Sequence, residues 1–191
     1  MVHAIESYTG KNKKNKISDA FAKEALNLLG TNIEKAVFNG SDVKVRSNML
    51  LGTTLAGISF ANSPVAAVHA LAYPIGGHFN VPHGLSNSLV LPHVMRFNLP
   101  IASKYYAELA MVTFPNIDFK GSDEDIALKY IEEIERLIKK LNLPTKLRVV
   151  GVSESDLEMM AEDAMNQERL LNNNPKKLKK EDAYNIYKTA F

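Results

Sequence analysis

The chain carries five histidines, and three of them, His69, His78 and His83, fall within residues 69–84, written HALAYPIGGHFNVPHG. Imidazole in its neutral form is the commonest metal ligand among side chains, through either ring nitrogen. A metal site needs three or four donors converging from different elements. His69 and His83 are fourteen residues apart, with Pro74-Ile-Gly-Gly77 between them. They cannot share one helix, but a chain reversal at Pro74–Gly77 would bring them together. His3 is far away in sequence and free to pack beside them on a first helix. Spacing leaves two readings open: a histidine metal site, or helix-terminal and core histidines with satisfied hydrogen bonds.

The elements that would position these residues are helical. In ISDAFAKEALNLLGTNIEKAVFNG the apolar Ile17, Phe21, Ala25, Leu28 and Leu29 recur at helical spacing. Gly40 stops that helix and Ser41-Asp42 caps the next. The helix over residues 42–62 becomes almost wholly apolar after Asn48, which predicts a buried central helix. Ser63-Pro64 reads as a cap and first helical residue of the helix carrying His69. Pro74-Ile-Gly-Gly77 is expected to end it, and Pro82-His83-Gly84 to open another running to about Asn98. Leu99-Pro100 opens a further helix to Thr113. Ser122 and Asp125 form a capping-box-like start, with Asp in place of the preferred Glu, for a stripe of Ile126, Tyr130, Ile134 and Ile138. Ser153 opens the next helix and Glu181-Asp182 the last. KLRVV (residues 146–150) is the only strand-like run. The expectation is one all-α domain over residues 1–191, with loop-rich stretches at 114–121 and 166–179.

Composition bounds the function. A chain of 191 residues suits one domain or two small ones and buries about 70% of the surface of its unfolded chain. A net charge of +2 is too small to imply a nucleic-acid or membrane partner. The lysines of KNKKNK (11–16) and PKKLKK (175–180) read as solvated helix-end loops. The absence of cysteine removes disulfides, thiolate metal sites and cysteine nucleophiles, and fits a cytoplasmic setting. MVHAIESYTG has no leader pattern. The longest apolar stretch, residues 49–61, is interrupted by Gly52, Thr53, Thr54, Gly57 and Ser59, so no membrane span is expected.

The run HALAYPIGGHFNVPHGLSNSLVLPHVMRFN resembles the signature of the iron-containing alcohol dehydrogenases, roughly H-x-x-x-[HY]-P-[LI]-G-x-x-x-x-x-P-H-G-x-x-N-A-x-L-L-P-H-V. HAIESY at His3–Tyr8 is similar to that family's other metal segment, D-A-x-x-H-A-I-E-[GS]-Y. AGISFANSPVAAVHA and the closing NNNPKKLKKEDAYNIYKTAF also resemble family segments, so the likeness covers essentially the whole chain.

The resemblance implies the all-helical C-terminal domain of a two-domain enzyme, whose other, N-terminal domain binds NAD(P). It implies a metal, Fe(II) or in some members Zn(II), held by His3, His69 and His83 with one aspartate. That aspartate lies four residues before the first ligand histidine, on the same helical face. Only two residues precede His3, so the aspartate position would fall before Met1, and the nucleotide-binding half is likewise missing. The expectation is a C-terminal half, inactive alone and binding metal weakly or not at all, whether a truncated gene product, an excised piece or one part of a split enzyme. The complete enzyme would interconvert small primary alcohols and aldehydes. A non-catalytic helical oligomerisation or binding module with a vestigial site is the alternative. The surface facing the missing half would favour homo-oligomers.

Many relatives have a second histidine where this chain has Tyr73, one turn after His69. Tyr73 is a candidate catalytic or pocket-lining group, although a phenol with its ordinary pKa near 10 is a poor proton relay at neutral pH. Phe60 is a candidate wall of the substrate pocket or an ordinary core residue. His78 reads as a bystander. His93, Asn87 and Asn98 read as structural, and Lys44 and Arg46 as solvent-facing.

Overall fold

The computed structural model describes residues 1–191. The helices are α1 (Val2–Thr9), α2 (Lys16–Phe38), α3 (Val43–Asn62), α4 (Ala67–Phe79), α5 (His83–Thr113), α6 (Asp123–Lys140), α7 (Leu157–Met165), α8 (Glu168–Leu171) and α9 (Lys180–Ala190). There is no strand. The strand-like KLRVV forms a short 3₁₀ turn, Leu147–Val150, closed by Gly151 at φ 91°. A lone extended run has no second strand to pair with, so its backbone groups bond locally while Leu147 inserts into the core.

Several starts follow their sequence signals. Asn15 accepts from the Ser18 N–H, and Asp42 from the Val45 N–H. Ser122 and Asp125 cap one another reciprocally, as do Ser153 and Asp156. Helix α6 buries the stripe of Ile126, Tyr130, Ile134 and Ile138 as its periodicity predicts.

The prolines overturn three expected boundaries. Helix α4 begins at Ala67 rather than Pro64, because Ser63 donates its hydroxyl to the Ser7 carbonyl instead of capping. It then runs through Pro74 to Phe79. Helix α5 runs unbroken through both Pro92 and Pro100. A proline inside a helix removes one i→i−4 bond and crowds the preceding turn. Burial of Leu71, Ala72 and Ile75 on one helix, and of Val90, Leu91, Val94 and Met95 on the other, outweighs that loss. Near Pro74 the Tyr187 hydroxyl donates to the Leu71 carbonyl at 2.7 Å. The reversal between His69 and His83 therefore comes later than Pro74–Gly77, at Asn80 in the left-handed region (φ 54°), followed by Val81-Pro82.

Helix α3 is not the buried centre that its composition predicts. Only Val45, Gly52, Ala56 and Ser59 are buried, whereas Leu50 is 70% and Ile58 40% exposed. The helix lies against α2, with Gly52 so close that a Cβ there would meet Leu29 Cγ at 2.9 Å. Its other side has no neighbour in this chain. No single helix is long and apolar enough to cross a membrane.

The loop after α8 is tied to the core by asparagines. Asn98 and Asn174, both buried, bond reciprocally at 3.0 and 2.7 Å, and Asn174 also donates to the Lys176 carbonyl at 2.7 Å. Asn98 is thus structural, as expected. Asn174→Ala strands both Asn98 and that carbonyl, and should lower unfolding free energy by about 3 kcal/mol. Urea unfolding with an unchanged m-value checks this.

Candidate metal centre

Three helices each bring one histidine to a common point: His3 from α1, His69 from α4 and His83 from α5. One ligand atom from each lies within 4.8 Å of the others. The His3 and His69 ring centroids are 4.7 Å apart, and those of His69 and His83 are 5.2 Å apart. Helix α1 is anchored through Ser7, whose hydroxyl meets that of Ser59 at 2.6 Å. The Asn80 corner folds α5 back beside α4, so the fourteen-residue separation of His69 and His83 closes to contact.

Glu6 organises the site, and the sequence reading passed over it. It is 3% exposed. One carboxylate oxygen accepts from the Val68 backbone N–H at 2.6 Å, and the other lies 2.5 Å from His69 Nδ1. A carboxylate can only accept there, so Nδ1 carries the proton and Nε2 is the nitrogen left to bind a ligand. Nε2 is buried and has no partner. Glu6 stands three residues after His3, on the same helical face. That spacing was the available signal.

Buried polar side-chain atoms almost always have a partner. The orphans here are His69 Nε2, Asn87 Oδ1 and His93 Nδ1. The first two belong to the cluster, since the Asn87 amide nitrogen lies 3.2 Å from His83 Nε2. Burial, reinforced by His69, pushes the His3 pKa down to about 4, and the same two causes lower that of His83. Uncharged His3 and His83 rings at neutral pH, with an orphaned Nε2 between them, fit a divalent transition metal.

The other candidates separate. Phe60 stacks on His3 with centroids 4.3 Å apart, so it packs one ring of the cluster. Tyr73, 42% exposed, has its ring centroid 6.1 Å from that of His83 and lines a separate cleft with Asn166 and Arg169. His78 pairs with Asp163 at 2.9 Å, outside the cluster. His93 reads as structural from the sequence, but its Nδ1 has no partner and the ring lines a different cavity. The histidine cluster opens into a chamber of about 250 Å³ whose far wall is apolar, including Ile134, Leu137 and Leu141 of α6 and its end.

Acid stability follows from these rings. Burial also pushes the His93 pKa down to about 4. Between the ordinary histidine value near 6.5 and about 4, the unfolded chain binds protons at His3 and His93 that the folded chain refuses. The contribution of these two histidines is therefore full above pH 6.5 and is lost as pH drops through that window. Urea midpoints should decline across it, and His93→Asn should flatten the slope.

The fold and cluster define a helical domain able to hold a transition metal where three helices meet. The chain belongs to the iron-containing alcohol dehydrogenases: residues 1–191 match the Fe-containing alcohol dehydrogenase family, C-terminal, a family of oxidoreductases. All 191 residues align with 48% of the length of long-chain-alcohol dehydrogenase 1 of Geobacillus thermodenitrificans (strain NG80-2), at 39% identity. They also align at 37% identity with 49% of the 1,3-propanediol dehydrogenase of Klebsiella pneumoniae. The crystal structure of a 1,3-propanediol oxidoreductase superposes with a TM-score of 0.94 and 35% identity, over the whole of this chain and 49% of that one. The chain thus spans about half the length of the curated relatives it matches.

Proposed function

We propose that this chain is the metal-holding half of an NAD(P)-linked alcohol dehydrogenase acting on primary alcohols and aldehydes. The observation that carries the reading is the orphaned His69 Nε2, oriented by Glu6 and converging with His3 and His83. These three histidines would hold Fe(II) or Zn(II), which when bound supplies Lewis acidity toward an alcohol or carbonyl oxygen. A nicotinamide bound by the other half of the enzyme would exchange hydride with the substrate carbon.

The chain's own residues prepare the place of reaction. Glu6 holds the His69 proton on Nδ1 and keeps Nε2 free. Phe60 packs the His3 ring, which limits the directions it can adopt. The apolar chamber wall keeps bulk water from one side of the cluster. Tyr73, exposed beside His83, would contact a substrate approaching the cluster from solvent.

Two measurements test this. Co(II) or Zn(II) titration of the chain should show one saturable site of modest affinity, abolished by His69→Ala. The chain combined with the nucleotide-binding half of a relative, loaded with Fe(II), should reduce NAD(P) with primary alcohols. A folded, metal-loaded complex without turnover would sink the enzymatic reading and favour a non-catalytic helical module.

A further inference from the structure

His93, whose Nδ1 is the third orphaned atom, lies away from the metal cluster and lines a second cavity, of about 260 Å³. It is walled by α5, α6 and the segment after α6, and Ser88 and Ile138 line both it and the histidine chamber. The two cavities differ in character. The histidine chamber has an apolar wall, whereas this one presents Lys139, Lys146, Thr145 and His93.

The charge balance of the cavity is positive. Its one carboxylate, Glu135, is taken by Arg96, which donates to both oxygens at 2.5 and 3.0 Å. Lys140, next along the helix, has Glu34 for a partner at 2.5 Å. Lys139 and Lys146 have no carboxylate partner. Lys146 spends one N–H on the Thr189 carbonyl at 3.1 Å, which ties its stem to the end of α9 and leaves its other donors free. The tautomer of His93 follows from burial. An N–H buried without an acceptor is the rarest kind of orphan, so Nδ1 carries a lone pair and the proton sits on Nε2. The ring then adds a neutral donor to two ammonium groups. The volume is just under the ~300–1,000 Å³ of clefts for drug-sized ligands, too small for a dinucleotide and ample for a tetrahedral oxyanion.

We propose that this cavity is a second binding site that takes a phosphate group, held by the ammonium groups of Lys139 and Lys146 and the ring N–H of His93. The site is independent of the metal centre and lies across the Ser88–Ile138 wall from it. A phosphate seated there bridges α5, α6 and the segment leading to Leu147. The group can come from free phosphate or from a small phosphate monoester, which share the recognised chemistry.

Calorimetric titration of the chain with inorganic phosphate, against chloride at equal ionic strength, tests the site. One saturable equivalent is expected, and the ¹⁵N resonances of the His93 ring should shift along the same isotherm. Lys139→Ala combined with Lys146→Ala, both at the cavity mouth, should weaken binding by about tenfold or more. His69→Ala should leave it unchanged, which separates this site from the metal centre. Glycerol phosphate binding more tightly than inorganic phosphate would assign the site to monoesters, and the reverse order to the free ion. Equal heats with chloride, an unmoved His93 ring, or unaltered binding in the double variant would each overturn the proposal.

Discussion

Glu6→Gln is expected to leave the chain folded and to weaken divalent-metal binding by about 10–100-fold, the usual cost of losing an outer-shell partner. The amide keeps one oxygen for the Val68 N–H, which now accepts from that group at 2.6 Å. Its NH₂ then faces His69 Nδ1, where two donors cannot meet. The imidazole relieves this by moving its proton to Nε2, the nitrogen that must carry a lone pair to ligate. Glu6→Ala is harsher. It strands a backbone N–H and a ring nitrogen in a site where Glu6 is 3% and His69 2% exposed. Each buried donor left unsatisfied costs about 1–3 kcal/mol, and the two together are a large part of the ~5–15 kcal/mol that holds a domain together. Co(II) titration by absorbance reads the first effect and urea unfolding the second. Wild-type metal affinity in Glu6→Gln would refute the tautomer argument.

Gly30→Ala should be among the most damaging single-methyl additions in the chain. Gly30 sits within α2 where that helix crosses the end of α5, and a Cβ there would meet the Thr113 carbonyl oxygen at 2.1 Å. The obstacle is backbone, and Thr113 itself is pinned: its hydroxyl donates to the Leu109 carbonyl at 2.8 Å and meets the Tyr130 hydroxyl at 3.0 Å. The helices must separate, at a cost of about 3 kcal/mol or more. Alanine's helix propensity returns only about 1 kcal/mol. Gly57→Ala is the control. Nothing lies within 4 Å of its would-be Cβ, so it should gain up to about 1 kcal/mol. Urea midpoints moving in opposite directions for the two variants would establish the crossing as the cause. A neutral Gly30→Ala would show that α2 and α5 are not held at that distance.

The helices were legible because helix formation is written locally. The α6 stripe and the Ser122 and Ser153 boxes need only residues within a few positions of one another. The three candidate histidines were legible through their motif, and each lies on its own helix. Proline was misread at Pro74 and Pro100 because its penalty is local while the packing that outweighs it is not. Apolar content was misread in α3 for a related reason: composition says what a helix would bury, not what is there to cover it.

Local pattern along the chain was therefore enough to establish an all-helical domain and to nominate His3, His69 and His83. It could not say which side of α3 is covered, which atom Glu6 holds, or that His93 belongs to a different cavity from the other histidines. Those depend on contacts such as Glu6 with His69, sixty-three residues apart. Their energies come from burial and from satisfying polar groups across helices, and no short-range periodicity records them.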